Sequence, residues 1–281
     1  MVATKVQQNL SPNLRQIGNI VVVASGKGGV GKSTTAVNLA LALHRQGAKV
    51  GLFDADIYGP SQPLMLGVVG KRPQIINGNQ MEPITAHGIK CNSVGFLVDE
   101  SQAMVWRGPM VVGAFNQILN DTACGQLDYL VIDMPPGTGD IQLSLAQSVP
   151  VTGAVIVTTP QDVALLDAKR GIEMFRKVQV PILGVVENMG LHICSQCGHS
   201  EHIFGEGGAE RIARTYGVEL LGALPLDGKI REQCDAGSPA VAAEPNGKVA
   251  QIYLQIAQRV SAQLLGGKNQ TTAPNISVSD D

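Results

Sequence analysis

No stretch of this 281-residue sequence is apolar for long enough to span a bilayer, and its first eighteen residues lack the apolar core of a secretory leader. Those two absences lead to the expectation of a cytoplasmic protein. A large excess of charge is missing too: 21 Lys and Arg stand against 23 Asp and Glu, a formal net charge of -2. A protein that coats nucleic acid or an anionic membrane needs clustered cations. Here Lys and Arg are spread along the chain, and no segment mixes several of them with aromatic residues. Neither nucleic acid nor membrane is expected as a partner. Cysteines number five, odd and few for this length. That excludes a disulfide framework as the organising device and leaves metal binding or simple burial.

With 44% hydrophobic and 16% charged residues, the chain can bury a sizeable core. Apolar runs rich in Val, Ile and Leu recur at 20–24, 50–53, 129–132, 154–157, 182–186 and 220–224, and stretches of helical spacing lie at 34–45, 107–119, 163–178 and 249–264. Unbroken apolar runs suit strands covered on both faces. The expected fold is therefore α/β, a mostly parallel sheet with helices on each side and ligands gathered at the strands' carboxyl ends. Residues 1–18 read as a polar extension, 19–266 as one domain, and 267–281, polar and without periodicity, as a disordered tail.

After the first apolar run comes Gly26-Lys27-Gly28-Gly29-Val30-Gly31-Lys32-Ser33, followed by a helical pattern. This is the strand–loop–helix setting that a phosphate loop requires. The glycines let backbone N–H groups face phosphate oxygens, and the helix adds the positive end of its dipole. Lys32 would reach the β- and γ-phosphates, Ser33 would ligate Mg²⁺, and Val30 and Thr34 complete the candidate ATP contacts. Asp54 and Asp56 follow the second apolar run. Asp133 ends another and runs into Met134-Pro135-Pro136-Gly137-Thr138-Gly139-Asp140, the form of a Walker B carboxylate leading into a glycine-hinged switch. Its expected role is water-mediated Mg²⁺ binding. An aspartate at a strand end also commonly caps a turn or helix, and that reading stands beside the catalytic one.

The extra Lys27 makes the loop similar to the deviant Walker A family that includes MinD, ParA and the nitrogenase iron protein. The resemblance covers most of the chain. It implies a nucleotide-linked homodimer in which Lys27 acts on the partner's ATP, a P-loop ATPase with Lys27, Lys32 and Asp56 as catalytic residues, Asp54 near Mg²⁺, and Asp56 in switch I orienting water. It also implies an adenine pocket built from Asn188, Pro225 and Asp227. Without the family, Lys27 reads as a solvated charge and Asn188 as a turn former.

Cys194 and Cys197 stand three residues apart in a glycine-bearing segment, a metal-ligand spacing that supplies two soft ligands where clusters and structural zinc usually need four. A two-fold axis of the kind Lys27 implies would bring two such pairs together. At this point the sequence resembles the Mrp/ApbC-type iron–sulfur cluster carriers. The residues concerned are Asp54-Ala-Asp-Ile-Tyr-Gly-Pro-Ser61, Trp106-Arg-Gly-Pro-Met110, the Asp133 to Asp140 segment, Glu187-Asn188-Met189 with the cysteine pair, and Ile203-Phe-Gly-Glu-Gly-Gly208. The resemblance implies a [4Fe-4S] cluster held between protomers and passed to apo iron–sulfur proteins. Some relatives carry an extra N-terminal domain; with the first strand pattern starting near Ile20, that domain is expected to be missing here. Competing readings are a zinc site adding His199 and His202 to the cysteines, a redox pair, and a MinD- or ParA-like positioning ATPase. Cys91, Cys124 and Cys234 are isolated and read as buried small apolar groups.

Overall fold

Val21, Val22 and Val23 are each at most 1% exposed, so both faces of the strand they form are covered. The computed structural model describes residues 11–96, 108–194 and 196–269. Parts of the expected terminal segments, together with Trp106, Arg107 and Ser195, lie outside the described residues.

β1 (Ile17–Ala24) leads through the glycine loop into α1 (Lys32–Arg45), then β2 (Val50–Asp54) and the one-turn helix α2 (Gln62–Met65). Short strands β3 (Ile75–Ile76), β4 (Gln80–Met81) and β5 (Ile84–Ala86) precede β6 (Ile89–Ser93) and α3 (Gly108–Asp121). The regular alternation resumes with β7 (Leu127–Asp133), α4 (Asp140–Ser148), β8 (Gly153–Thr158), α5 (Asp162–Lys177) and β9 (Ile182–Ile193). The chain closes with β10 (Ser200–Glu201), α6 (Gly208–Tyr216), β11 (Leu220–Leu226), α7 (Gly228–Asp235), α8 (Ala240–Ala243) and α9 (Lys248–Asn269).

Among the described residues nine strands make one sheet, ordered β10-β9-β8-β1-β7-β2-β6-β5 with β11 also on β9. Its pairings are parallel except where β5 meets β6 and β10 meets β9. Alternate residues of β1 enter opposite layers. Val21 and Val23 pack with Leu39 and Leu43 of α1 and with Tyr253 and Ile256 of α9, whereas Ile20 and Val22 pack with Phe115 of α3 and Phe175 of α5. The mostly parallel, two-sided sheet read from the apolar runs is thus the observed fold.

The apolar stripe of α9 is spent inside the protein: Tyr253, Ile256, Ala257 and Val260 are each at most 1% exposed. Each large side chain so buried contributes about 1.5–3 kcal/mol, and withdrawing the helix would expose the sheet face it covers. Among the described residues no helix is long and apolar enough to cross a membrane. α9 continues to Asn269, three residues into the stretch expected to be unstructured, and β1 begins at Ile17, within the stretch expected as an extension.

One element departs from expectation in a way that matters. The strand expected at 182–186, with a loop beyond it, runs instead to Ile193, next to Cys194. β8 leaves it at the Thr158–Glu187 pair, and β11 accompanies it to His192. The β11 register jumps from Ala223–Glu187 to Pro225–Leu191, so Asn188, Met189 and Gly190 bulge where β11 spends one residue. Met189 at the centre has φ 59°, a left-handed conformation that a side chain of this size rarely adopts. The bulge breaks the apolar run, which is why the sequence reads as strand followed by loop.

Candidate functional site

Parallel register sets the acidic groups side by side. Asp133 of β7 is paired with Val23 of β1 on one side and with Asp54 of β2 on the other, so both carboxylates stand at carboxyl strand ends beside the glycine loop. That loop is closed behind and open in front. A Cβ on Gly26 would lie 2.2 Å from the Asp167 carbonyl of α5, and one on Gly31 (φ 85°) would lie 2.0 Å from Nδ2 of Asn188. Nothing lies within 4 Å of the corresponding positions at Gly28 and Gly29. Backbone can therefore approach a ligand on the Gly28–Gly29 side, and Lys27 stands half-buried beside it.

Lys32 is 6% exposed, and its ammonium donates to Asp133 Oδ1 and, over 3.0 Å, to Ser33 Oγ. Asp56 Oδ2 lies 3.9 Å away. Asp133 Oδ2 accepts from Gln62 Nε2 at 2.8 Å. Asp54 is fully enclosed. Its Oδ1 accepts from Asp56 N at 3.0 Å, and its Oδ2 from Ser61 N at 3.0 Å, Gln62 N at 3.1 Å and Ser93 Oγ at 3.3 Å. Asp54 thus pins the 56–62 segment and α2 against the phosphate loop. Burial, reinforced by the charge of Asp133, pushes its carboxyl up to about 7 despite those donors. Burial also raises Asp56, against the opposing pull of Lys32.

Asn188 donates from Nδ2 to Val30 O over 2.9 Å, which joins the bulge of β9 to the phosphate loop. Pro225 pairs with Leu191 across β11 and β9. Asp227 caps α7 by accepting from Lys229 N at 2.9 Å. Thr34 stands near the start of α1, half-buried.

Beyond the bulge, β9 and β10 form an antiparallel hairpin, Ile193 opposite Ser200 and His192 opposite Glu201. The cysteines lie on its turn. Cys194 N donates to His199 O and Gly198 N to Cys194 O, both over 2.9 Å, and Gly198 takes φ 72°. Cys194 is half-buried and Cys197 exposed. Hydrogen bonding from the backbone of Cys197 and Gln196 holds the Cys194 thiol below the ordinary range. Cys91 and Cys124, by contrast, are driven by burial up to about 12, and Cys234 to about 11. His202 donates through Nδ1 to Gly190 O at 2.7 Å. Among the described residues no three His, Cys, Asp or Glu side chains converge on a metal-sized site, so the histidines do not join the cysteines here.

A chemical consequence follows for the thiols. At pH 7 to 8, brief treatment with iodoacetamide is expected to label Cys194 well ahead of Cys91, Cys124 and Cys234, because the thiolate is the nucleophile. Peptide mass spectrometry over a time course checks the order; equal labelling of the three buried cysteines would contradict it.

The model of the ParA family described as NUBPL iron-transfer P-loop NTPases matches residues 16–261. The chain belongs to this family. An iron–sulfur cluster carrier protein of Pseudomonas fragi is 62% identical over 92% of this chain and 90% of its own length. A nucleotide-binding protein of Archaeoglobus fulgidus, solved in complex with ADP and with cobalt, superposes with a TM-score of 0.75 at 36% identity, over 86% of this chain and 94% of its own. The cell-division ATPase MinD of Pyrococcus furiosus superposes with 0.67 at 26% identity, over 87% and 99%.

Within this family frame, the structure gives Glu187 a contact that the sequence does not assign and adds Gln62, which sequence reasoning missed. Glu187 accepts from Ala209 N at 2.8 Å, so the residue before Asn188 holds the start of α6. Gln62 lies one position beyond the family-like segment ending at Ser61, and nothing in the sequence marks it as more than a polar residue in a short helix.

Proposed function

We propose that the chain is an ATP-dependent iron–sulfur cluster carrier. Two copies bind Mg·ATP at their phosphate loops, hydrolyse it, and hold a bridging [4Fe-4S] cluster on Cys194 and Cys197 of each copy for delivery to apo iron–sulfur proteins in the cytoplasm. The observation that carries this reading is the hairpin turn, where one half-buried and one exposed cysteine stand just beyond the end of the same strand that touches the phosphate loop. A MinD-like positioning function would leave that turn without a task. The names of the cluster-carrier relatives support the same direction.

The nucleotide site fits a magnesium nucleotide. Ser33 Oγ, the Asp133 carboxylate and a buried Gln62 Oε1 with no hydrogen-bond partner among the described residues are hard oxygen donors, the kind Mg²⁺ takes directly or through its waters. Bound Mg²⁺ would supply charge neutralisation at the phosphates. Of the chain's own groups, Lys32 would exchange Asp133 for phosphate oxygens, the loop N–H groups at Gly28 and Gly29 would cradle them, and Asp56 would orient the attacking water. Asp54, its oxygens engaged by Asp56, Ser61, Gln62 and Ser93, would act on Mg²⁺ by charge and by holding switch I. Asn188, Pro225 and Asp227 would border the adenine, and Lys27 would serve the partner's ATP.

The cluster is cargo, and one copy offers two thiolates for it. Anaerobic reconstitution with iron and sulfide, followed by metal analysis and mass measurement in solution, tests the reading. About four irons and four sulfides per two chains are expected. Zinc alone, or iron bound by single chains, would overturn the shared-cluster assignment.

A further inference from the structure

Gln62 is 1% exposed, yet half of its amide is unused. Its Nε2 donates twice, to Ser33 O over 3.0 Å and to Asp133 Oδ2 over 2.8 Å. Its Oε1 is buried and meets no donor among the described residues. An amide oxygen enclosed without a partner is costly, of order 1–3 kcal/mol in general, and such an atom in a polar site calls for an explanation. The surroundings limit the choices. Gln62 lies between the backbone of Ser33, whose hydroxyl is 3.0 Å from Lys32 Nζ, and the carboxylate that Lys32 also holds. The backbone N–H of Gln62 is itself fixed by Asp54.

We propose that Gln62 is a positioning residue of the Mg²⁺ site, its amide nitrogen fixing the plane of the Asp133 carboxylate and its amide oxygen accepting from a water carried by the ion. The inference rests on the reading of this loop as a magnesium-nucleotide site. The division of labour follows from the two carboxylate oxygens. Lys32 occupies Oδ1 and Gln62 occupies Oδ2. When Lys32 turns to phosphate, Oδ1 is released while Oδ2 stays held, so Asp133 presents one oxygen in a fixed direction. Mg²⁺ keeps several waters and tolerates little departure from octahedral geometry, which makes a fixed direction worth more to it than to a softer ion. Partners that orient a ligand in this way are typically worth 10- to 100-fold in metal affinity. Because α2 is tied to Asp54 and Asp133 together, the same amide also reports the state of the ion to switch I.

The test uses the full chain and Gln62→Met, which keeps length and approximate volume but has no comparable donor or acceptor. A fluorescent ADP is titrated in excess Mg²⁺ and in EDTA, and the Mg²⁺ midpoint is measured at fixed ADP. The expected result is a midpoint raised about tenfold, with affinity in EDTA within about twofold of the parent. An unchanged midpoint would overturn the proposal. So would an equal loss with and without Mg²⁺, which would mean that Gln62 merely packs the loop. A parent protein whose ADP affinity ignores Mg²⁺ would instead sink the magnesium-nucleotide reading, and the inference with it. Gln62→Leu, read the same way, covers the case in which the Met variant does not fold.

Discussion

Lys32→Ala is expected to lower ATP turnover by about 10²–10³-fold, the usual cost of removing one preorganised charge-stabilising donor from a reacting centre. The variant should also be less stable, for a reason separate from catalysis. Lys32 is the cation that meets Asp133, and it stands within 3.9 Å of Asp56, in a site where Asp54 and Asp133 are neighbours in register. Removing one partner of a buried pair generally costs about 3–5 kcal/mol. Part of that is recovered if the carboxylates left behind take up a proton. Asp54 is already raised to about 7 by burial and by Asp133, and loss of Lys32 removes an opposing influence. A carboxyl raised in the folded state favours folding at low pH, and that contribution is lost as pH rises through its folded pKa. The melting temperature of Lys32→Ala should therefore fall more steeply than that of the parent between about pH 5 and pH 8. Phosphate release and thermal unfolding across that range check both parts. Hydrolysis at the parent rate would remove Lys32 from the site.

Cys194→Ala combined with Cys197→Ala is expected to abolish reconstituted iron and sulfide while nucleotide affinity stays within about twofold of that of the parent without iron and sulfide. The cysteines lie on a hairpin turn, half-buried and exposed, and exposed substitutions of this kind usually change stability by no more than about 0.5 kcal/mol. The backbone bonds between Cys194 and His199 and between Gly198 and Cys194 do not use the side chains, so the turn survives their loss. Iron per chain, sulfide per chain and ADP affinity, measured on one preparation, give the answer. Cluster content equal to the parent's would send the search for ligands elsewhere.

The sheet was legible because β1, β2, β7, β8, β9 and β11 each contain an unbroken apolar run, and two-sided burial leaves no other pattern for such strands. The phosphate loop was legible because backbone approach to a ligand demands glycine. What escaped was set by contacts distant in sequence. The β9 extension depends on β11 and β10 as partners and on a bulge that looks like a chain break. The antiparallel β5–β6 edge contains Lys90 and Asn92 among its apolar residues and gives no clean run. Gln62 gains its place from Asp54 and Asp133, which neither periodicity nor spacing links to it. The register sets Asp54 and Asp133 side by side at carboxyl strand ends, while Asp227 and Asn188 make helix-cap and loop contacts that residue type alone does not specify.

β9 gives the molecule a reciprocity. From Asn188 to Cys194 is six residues, roughly 20 Å at most for an extended strand, and less across the bulge. Midway along its length the strand grips the phosphate loop through Val30, and its carboxyl end leads directly into the cysteine turn. If nucleotide shifts that grip, the free energy it passes to cargo affinity must be returned unchanged as an effect of cargo on nucleotide affinity. A loaded hairpin would then be felt at the phosphates by the same factor that ATP is felt at the sulfurs, so a recipient that strips the cargo would alter how tightly the emptied chain holds its nucleotide.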